Sequence, residues 1–399
     1  MLFCGVKNIA DYSNLTDNSE NSVKNIEQLG QVFTPSNIVA QMLALRKNYG
    51  RVLEPSCGDG AFFNNISSCV GIEIDAKHCP KGALNMDFFD YSESEKFDTI
   101  IGNPPYVRYK DIPLQTKEKL KSSLFDERSN LYLFFIEKCL NHLTPHGELI
   151  FITPRDFLKA TSSIKLNQYI FSLGTITDIF DLGDSRIFKG FSPNCIIFRF
   201  EKGNFSRRTN TNKKFICSNG QLIFTDKDYP FLFSDLFFVK VGAVSGNDKI
   251  FESQNYGNRN FVCSHTHKTG RTRKMIYNEK NNYLLPYKDE LINRKIKHFD
   301  ENNWWQWGRS HYISDEKRIY LNTRTRNKEP FFLHESKDYD GSVLAIFPKN
   351  QQADLKEMCF ELNKVNWAEL GFVCEGRYLF SQKSLQNTLL PESFRKFYN

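Results

Sequence analysis

Short apolar runs alternate with helix-like stretches along the first half of the chain. The runs lie at 51–54, 69–74, 98–102, 147–153, 176–182 and 195–200. Between them, apolar residues recur three and four positions apart, as in 38–45 and 130–143. Strands that alternate with helices in this way form a parallel sheet. The pattern therefore predicts an α/β domain built on a doubly wound, mostly parallel sheet.

The alternation ends near residue 205. Residues 202–214 are rich in Gly, Asn, Thr, Ser and Arg and poor in apolar residues, which predicts a linker at 206–220. Residues 221–399 show neither the alternation nor an internal repeat, and we expect a second, mixed α+β domain there. Residues 1–28 are polar and rich in turn-forming residues, so we expect a flexible N-terminal arm before a first domain at 29–205.

Length and composition favour a soluble protein of two domains. A chain of 399 residues is long for a single core. No apolar run reaches the roughly 18 residues of a membrane span, and the N-terminus lacks a signal-peptide pattern. The ten cysteines show neither Cys-x-x-Cys nor zinc-ligand spacing. We therefore expect reduced thiols, no metal, no membrane contact and a cytoplasmic location.

The excess of positive over negative charge lies in the second half of the chain. Residues 1–205 hold 22 Lys and Arg against 24 Asp and Glu, whereas residues 206–399 hold 31 against 22. The cations are interleaved with aromatic and amide residues at 268–274, 294–297, 304–310 and 320–326. Such a surface suits a polyanion, because neutralised phosphates release counterions. A merely solubilising surface remains an alternative.

The strongest chemical signal is Asn103-Pro104-Pro105-Tyr106, which directly follows the apolar run 98–102. Proline cannot continue a central strand, and it holds the preceding residue extended. Asn103 is thus expected at the carboxyl end of a strand, where open α/β sheets bind ligands. The Asn103 side-chain oxygen and the Pro104 carbonyl could accept both hydrogens of an exocyclic amine while Tyr106 stacks on its ring. A strand-ending turn with a buried Tyr is the alternative.

Acidic residues at strand ends indicate a nucleoside site. The run 51–54 ends at Glu54 and leads into the glycine-rich turn 55–60, where ligands can approach the main chain closely. The next run ends at Glu73, which is placed to hold ribose hydroxyls, with Asp75 as the alternative. Asp87 could accept a hydrogen bond from an adenine amino group. Apolar cover for that ring would come from Ile74 and Phe88.

Together these segments resemble the gamma class of DNA adenine-N6 methyltransferases of bacterial type II restriction-modification systems. The chain keeps that family's order over about 28–205, with 31–35 first, then 54–60, then Asn103 to Tyr106, and finally a separate domain. Residues 241–248 look like the family's entry to the target-recognition domain. The likeness fades beyond residue 250.

The resemblance implies a class I S-adenosylmethionine-dependent methyltransferase fold and S-adenosylmethionine as the methyl donor. It also implies an aromatic residue that stacks on the flipped base and lies in the loop before the last strand. The spacing between that loop and residues 195–198 assigns this role to Phe188, with Phe191 as the fallback. The partners would be double-stranded DNA and, functionally, a separate restriction endonuclease in a bacterial cytoplasm. The catalytic residues would be Asn103, Pro104, Tyr106 and Phe188. The donor-binding residues would be Thr34, Glu54, Ser56, Cys57, Gly58, Gly60, Glu73, Ile74, Asp87, Phe88 and Asn103.

Several other activities remain open. Cytosine-N4 and RNA adenine-N6 methylation use similar pockets, and a non-catalytic DNA-recognition subunit could share the domain plan. Cytosine-C5 methylation is disfavoured because it needs a Pro-Cys nucleophile, and the chain has only Cys79-Pro80. Release-factor glutamine methyltransferases share the Asn-Pro-Pro-Tyr motif but lack a large basic second domain.

Overall fold

The computed structural model describes residues 32–126, 129–183, 188, 194–374 and 376–398. The predicted N-terminal arm lies outside the described residues. The chain divides into two compact units, Met1–Phe224 and Thr225–Asn399, and each is described by itself.

A seven-stranded sheet forms the centre of the first unit. Its strand order is β3-β2-β1-β4-β5-β7-β6. All neighbouring strands are parallel except β7, which runs antiparallel to both β5 and β6. The predicted mostly parallel sheet is therefore confirmed. The strands are β1 (Val52–Glu54), β2 (Cys69–Glu73), β3 (Leu84–Asn85), β4 (Phe97–Gly102), β5 (Leu143–Pro154), β6 (Gly174–Asp181) and β7 (Cys195–Lys202).

Helices flank this sheet. The longest begins after Asn130, whose side chain caps it by accepting from the Tyr132 backbone N–H, and it buries Leu133, Ile136 and Leu140. The α-helices are α1 (Ser36–Ala44), α2 (Leu114–Lys117), α3 (Leu131–His142) and α4 (Ile164–Leu173). Short 3₁₀ turns occupy Phe63–Asn65, Phe88–Asp90, Tyr109–Asp111, Arg155–Leu158 and Thr161–Ser163.

The segment after the glycine-rich turn differs from the expected helix. Only the 3₁₀ turn Phe63–Asn65 forms before β2 begins. Gly58 and Gly60 have φ values of +51° and +85°, which are outside the helical region. Because these glycines and the short connection leave no room for successive helical turns, the chain returns to the sheet directly.

The predicted linker 206–220 lies inside the first unit, and the division falls later, at 224/225. Lys214–Ser218 (β8) pairs with Gln221–Thr225 (β9) in a two-stranded sheet. Phe215 is buried and stacks on Phe224 at 5.3 Å between ring centroids. Composition could not show this packing, because the Phe215 ring contacts those of Phe171 and Phe224, which lie elsewhere in the sequence.

The second unit is a mixed α+β domain made of several small sheets. The largest has the order β11-β18-β14-β16, and the others are β13-β12-β17, β15-β20-β19 and β10-β21. The strands are β10 (Phe231–Leu232), β11 (Phe237–Val241), β12 (Arg259–Val262), β13 (Arg273–Met275), β14 (Ile319–Asn322), β15 (Arg324–Thr325), β16 (Phe331–Phe332), β17 (Asp338–Tyr339), β18 (Val343–Pro348), β19 (Val373–Cys374), β20 (Arg377–Leu379) and β21 (Leu389–Leu390).

Short helices connect these strands. They are α5 (Phe233–Leu236), α6 (Asp248–Phe251), α7 (Thr266–Thr269), α8 (Lys288–Ile292), α9 (Leu355–Lys364) and α10 (Gln382–Gln386), with 3₁₀ turns at Asn282–Tyr287 and Glu392–Phe397. Across the described part of both units, no helix has the length and apolar character that crossing a membrane requires.

Candidate functional site

The carboxyl ends of four parallel strands build one face of a cleft in the first unit. Strands β1, β2 and β4 end at Glu54, Glu73 and Gly102, and β3 leads into Asp87. Their shared direction brings these ends to one edge of the sheet. The cleft there encloses about 790 Å³ of space, open solvent included, and is lined mainly by apolar side chains. An apolar lining with a few polar groups at this edge of the sheet is typical of small-molecule sites.

Half of the predicted site residues line this cleft. They are Ser56, Gly58, Glu73, Ile74, Asp87, Phe88 and Asn103. Thr34, Glu54, Cys57, Gly60, Pro104, Tyr106 and Phe188 are not among the lining residues, although Thr34 and Tyr106 bond directly to Asn103.

Asn103 is held by three hydrogen bonds through its side chain. Its Nδ2 donates to the Val32 carbonyl oxygen at 3.0 Å and to Thr34 Oγ1 at 3.2 Å. Its Oδ1 accepts from the Tyr106 hydroxyl at 2.6 Å. Because both hydrogens of Nδ2 are donated to acceptors of the protein, the amide has a defined orientation. Its Oδ1 accepts one hydrogen bond, so one lone pair remains for another donor.

The main chain around Asn103 is also fixed. Ser56 Oγ donates to the Asn103 carbonyl at 3.2 Å, which ties the glycine-rich turn to this motif. The next carbonyl, that of Pro104, accepts no hydrogen bond from any described residue. Two neighbouring oxygens, Asn103 Oδ1 and Pro104 O, thus have free acceptor capacity.

Tyr106 is buried beneath the motif. Its hydroxyl lies 3.0 Å from the Ile152 carbonyl as well as bonding to Asn103. Burial raises the pKa of this hydroxyl well above its usual value, so it remains a hydrogen-bond donor. The Phe188 ring contacts the Tyr106 ring edge to face, with centroids 6.4 Å apart. The structure therefore places Phe188 beside the motif, while Phe191 lies outside the described residues.

Glu73 and Gly58 form one unit at the end of β2. Glu73 Oε2 accepts from the Gly58 backbone N–H at 2.7 Å, and Oε1 accepts from the Asp75 N–H at 2.9 Å. Carboxylate oxygens accept from hydroxyl groups as well as from N–H groups. Beside it, Ile74 is 49% exposed and lines the cleft, so an apolar side chain is available for a ring.

Asp87 is anchored by a loop that sequence analysis did not connect to it. Asp87 Oδ1 accepts from the Phe89 N–H at 2.9 Å, and Oδ2 accepts from Thr116 Oγ1 at 3.0 Å. Lys119 Nζ lies 3.3 Å from Oδ2 and pairs with Asp90 at 2.5 Å. These contacts close the loop after α2 over one end of the cleft and hold the Asp87 side chain in place.

Glu54 lies under the glycine-rich turn rather than in the cleft. Its Oε2 accepts from the Phe63 N–H at 2.6 Å. Burial raises the pKa of this carboxyl well above its usual value, and the nearby Asp59 and Glu73 add to the effect. Burial also raises the pKa of the Cys57 thiol, so Cys57 is not an activated nucleophile.

The remaining predicted positions have structural explanations. Gly60 has a φ of +85°, which is strained for residues with a side chain, so the backbone conformation explains this glycine. Helix α1 begins after Pro35 without a side-chain cap, because Thr34 Oγ1 accepts from Asn103 instead.

Several cleft residues were not predicted. Phe33 is 48% exposed and lines the cleft next to Gly58, and Pro113 and Thr116 line it from the start of α2. Phe33 directly precedes Thr34, and an aromatic residue next to a predicted ligand residue was the available sequence signal. Thr116 had no such signal, because its bond to Asp87 joins segments 29 residues apart.

No group of three or more His, Cys, Asp and Glu side chains is arranged to hold a metal ion among the residues that the structure describes.

Sequence comparisons give the first unit a family context. The model of the Eco57I restriction-modification methylase family matches residues 58–188. Type II methyltransferase M.HincII of Haemophilus influenzae is 33% identical over 188 residues, which cover 44% of this chain and 38% of that protein. Over somewhat less than half of its length, the chain is similar to type II methyltransferases of this kind. M.TthHB8I of Thermus thermophilus is 32% identical over 197 residues, with 44% and 45% of the two chains covered.

A solved structure extends the likeness of the fold. The Type IIL restriction-modification enzyme MmeI, solved in complex with DNA, superposes with a TM-score of 0.58 at 13% identity over 94% of this chain and 65% of that chain. At this identity the likeness concerns the fold alone. The sheet order and this superposition identify the class I S-adenosylmethionine-dependent methyltransferase fold. The chain spans about two fifths of the length of M.HincII.

Proposed function

We propose that the protein is a site-specific DNA methyltransferase that transfers a methyl group from S-adenosylmethionine to N6 of an adenine flipped out of double-stranded DNA. The observation that carries this proposal is the oriented Asn103 amide on the wall of the same cleft that holds Glu73 and Asp87. The relationship to restriction-modification methyltransferases supports DNA as the substrate.

The residues present fit the methyl donor. Glu73 places a carboxylate on the cleft wall for ribose hydroxyls, Ile74 and Phe88 offer apolar surface for adenine, and Asp87 can accept from its amino group. Thr34, Glu54, Ser56, Cys57, Gly58 and Gly60 surround the turn proposed for the methionine portion. The bound donor would supply an electrophilic methyl group on its sulfonium sulfur.

Asn103 and Pro104 would activate the acceptor nitrogen. The amine of adenine is a weak nucleophile, because its lone pair is delocalised into the ring. Hydrogen bonds from its two N–H groups to Asn103 Oδ1 and Pro104 O favour a pyramidal nitrogen whose lone pair points away from both oxygens. These bonds strengthen as positive charge develops on nitrogen, so they stabilise the transition state more than the ground state.

The target adenine must leave the duplex to reach these oxygens, at a cost of a few kcal/mol. Tyr106 and Phe188 are the aromatic residues at the motif and would hold the extruded base. The basic second unit would position the DNA. In cells, we propose that methylation protects host DNA from a cognate restriction endonuclease.

The decisive experiment identifies the methylated product. Purified protein is incubated with methyl-labelled S-adenosylmethionine and mixed-sequence duplex DNA, which is then digested to nucleosides for mass spectrometry. N6-methyladenine is the expected product, and single-molecule sequencing gives its sequence context. N4-methylcytosine would instead assign the cytosine activity, label in RNA alone would assign an RNA substrate, and DNA binding without transfer would indicate a recognition subunit.

A further inference from the structure

The basic residues of the second unit fall into two groups that only the structure separates. The first group serves the fold. Arg273 pairs with Asp248 at 2.8 Å and also with the buried Asp340. Arg294 is buried and donates to main-chain carbonyls, including those of Leu291 at 2.7 Å and Trp304 at 2.6 Å. These cations stabilise the interior and are not available to a partner.

The aromatic residues near them are also interior. Trp304 and Trp307 are buried in the core of the unit, and the Trp307 indole N–H donates to the Ile276 carbonyl at 2.8 Å. Arg309 donates to the Gly242 carbonyl at 3.0 Å. Trp304, Trp307 and Arg309 are therefore engaged in contacts within the unit.

The second group is exposed and unpaired. Its five cations are Lys268, Arg271, Arg324, Arg326 and Lys328. Within the described part of the chain, none of these five side chains forms an ion pair or a hydrogen bond. Glu329 is the one carboxylate in the same two segments, 264–272 and 322–329, which we call the cationic loops.

The cationic loops lie against each other. Asn327 Nδ2 is 3.3 Å from His267 Nδ1, and the His267 ring stacks on Phe332 with centroids 4.5 Å apart and planes 8° from parallel. Asn322 Nδ2 also donates to the Ser264 carbonyl at 2.9 Å. Lys268 directly follows His267, and Arg326 and Lys328 flank Asn327 in the sequence. The contact therefore brings together the two chain segments that carry the five exposed cations.

The main chain of the cationic loops is held in place, whereas the charged groups of their five cations have no bonding partner among the described residues. Five like charges near one another and without counterions repel, so the surface is suited to a polyanion that relieves the repulsion. Arg and Lys side chains without supporting partners tolerate shifts in position, which suits phosphate oxygens along a duplex. Reading a base edge instead requires a guanidinium held in one geometry.

We propose that the cationic loops bind the phosphate backbone of double-stranded DNA. This inference rests on the proposed function and assigns the surface that holds its substrate. Contacts with phosphates contribute to the affinity for DNA and position the protein on it, but they do not distinguish base sequences. Their loss should therefore weaken binding to all duplexes alike.

The test compares matched charge removals. The variant R324A/R326A/K328A removes three cations from the loops, and the control K317A/K356A/K383A removes three exposed, unpaired lysines elsewhere in the unit. Binding to a labelled mixed-sequence duplex of about 30 base pairs is measured by anisotropy between roughly 50 and 300 mM KCl. Thermal melting monitored by circular dichroism checks that each variant is folded.

The loop variant is expected to bind the duplex about tenfold or more weakly. Its plot of log binding constant against log salt concentration should have a slope shallower by about two to three, because each lost phosphate contact removes about 0.9 from that slope. The control should keep the wild-type slope. An unchanged slope in the loop variant, or an equal loss in the control, would overturn the inference while methyl transfer by the wild type still stands. Tighter binding of single-stranded RNA with the same dependence on the loops would reassign the surface. Wild-type protein that neither binds duplex DNA nor transfers a methyl group would remove the proposed function and this inference together.

Discussion

The hydroxyl of Tyr106 donates a 2.6 Å hydrogen bond to Oδ1 of Asn103. The same hydroxyl lies 3.0 Å from the carbonyl of Ile152 on the neighbouring strand β5. The ring proposed to hold the target base and the amide proposed to accept from its amine are thus parts of one hydrogen-bonded unit, which is anchored to the sheet. The first three predictions concern this unit.

Replacing Asn103 with Ala should abolish most turnover and leave donor binding intact. The amide oxygen acts on the developing charge, and loss of one such preorganised group costs about 10²- to 10³-fold in kcat. Calorimetric titration with S-adenosylmethionine and labelled methyl transfer measure the two effects. N65A is the control, because Asn65 lies on the exposed 3₁₀ turn Phe63–Asn65 and its amide donates to the Ala61 carbonyl. An N103A enzyme with wild-type kcat would refute the assigned role.

Replacing Tyr106 with Phe should lower kcat by about fivefold while the KM for the donor stays the same. The ring remains, but Asn103 Oδ1 loses one orienting donor, a loss of about 1 kcal/mol. Steady-state kinetics separate the two parameters. Y109F removes a hydroxyl from the nearby half-buried 3₁₀ turn and should have no effect. A rise in donor KM at constant kcat would show that Tyr106 contributes to donor binding instead.

Thr34 should act on turnover through Asn103. T34V removes one of the two acceptors of Asn103 Nδ2 and leaves the Val32 carbonyl, so the amide is held less firmly in its orientation. We expect kcat to fall about fivefold, since one hydrogen bond contributes about 1 kcal/mol. T34S keeps the hydroxyl and should restore kcat. If T34V changes only donor affinity, Thr34 is a donor ligand and not a positioning residue.

Replacing Phe188 with Leu should weaken trapping of the extruded base. Leu keeps an apolar side chain against Tyr106 but removes the aromatic face, so 2-aminopurine at the target position should fluoresce less on binding. F180L, on an exposed part of β6, is the control. The same fluorescence increase in F188L and wild type would assign base trapping to another residue.

Glu54 should make stability depend on pH. Burial raises its pKa in the folded state above the usual 4.5, so its contribution to stability is full below that value and is lost as the pH rises through the folded-state pKa. E54Q stays neutral and keeps an acceptor for the Phe63 N–H. In the absence of S-adenosylmethionine, the melting temperature of E54Q should exceed that of the wild type by about 2 °C or more at pH 8.

The difference between E54Q and wild type should shrink as the pH falls towards 5, because Glu54 then becomes neutral. Differential scanning calorimetry at several pH values measures this trend. E93Q alters an exposed carboxyl and should give no comparable difference. A difference that grows at acid pH would contradict the raised pKa.

The sheet and its functional edge could be predicted because both follow from local sequence. Parallel strands are buried on both faces, so they appear as continuous apolar runs, and Ile100 and Ile101 are fully buried in β4. Once those strands are parallel, the residues at their carboxyl ends must gather at one edge. Glu73, Asp87 and Asn103 therefore line one cleft, as their positions after the strands indicated.

Local pattern failed where packing partners are distant in sequence. Composition could not show that Phe215 packs into the first unit, and spacing could not show that Thr116 and Lys119 hold Asp87. Likewise, one run of sequence, 268–274, contains both the interior Arg273 and the exposed Lys268 and Arg271.

The order of apolar runs and the polar residues at their ends by themselves determined the sheet, its ligand-binding edge and the candidate chemistry, because strand direction and period are local properties. Tertiary structure alone decided which way the Asn103 amide faces, which carboxyl is buried and which cations stay unpaired. Those outcomes depend on hydrogen-bond partners and counter-charges brought together from segments far apart in the chain.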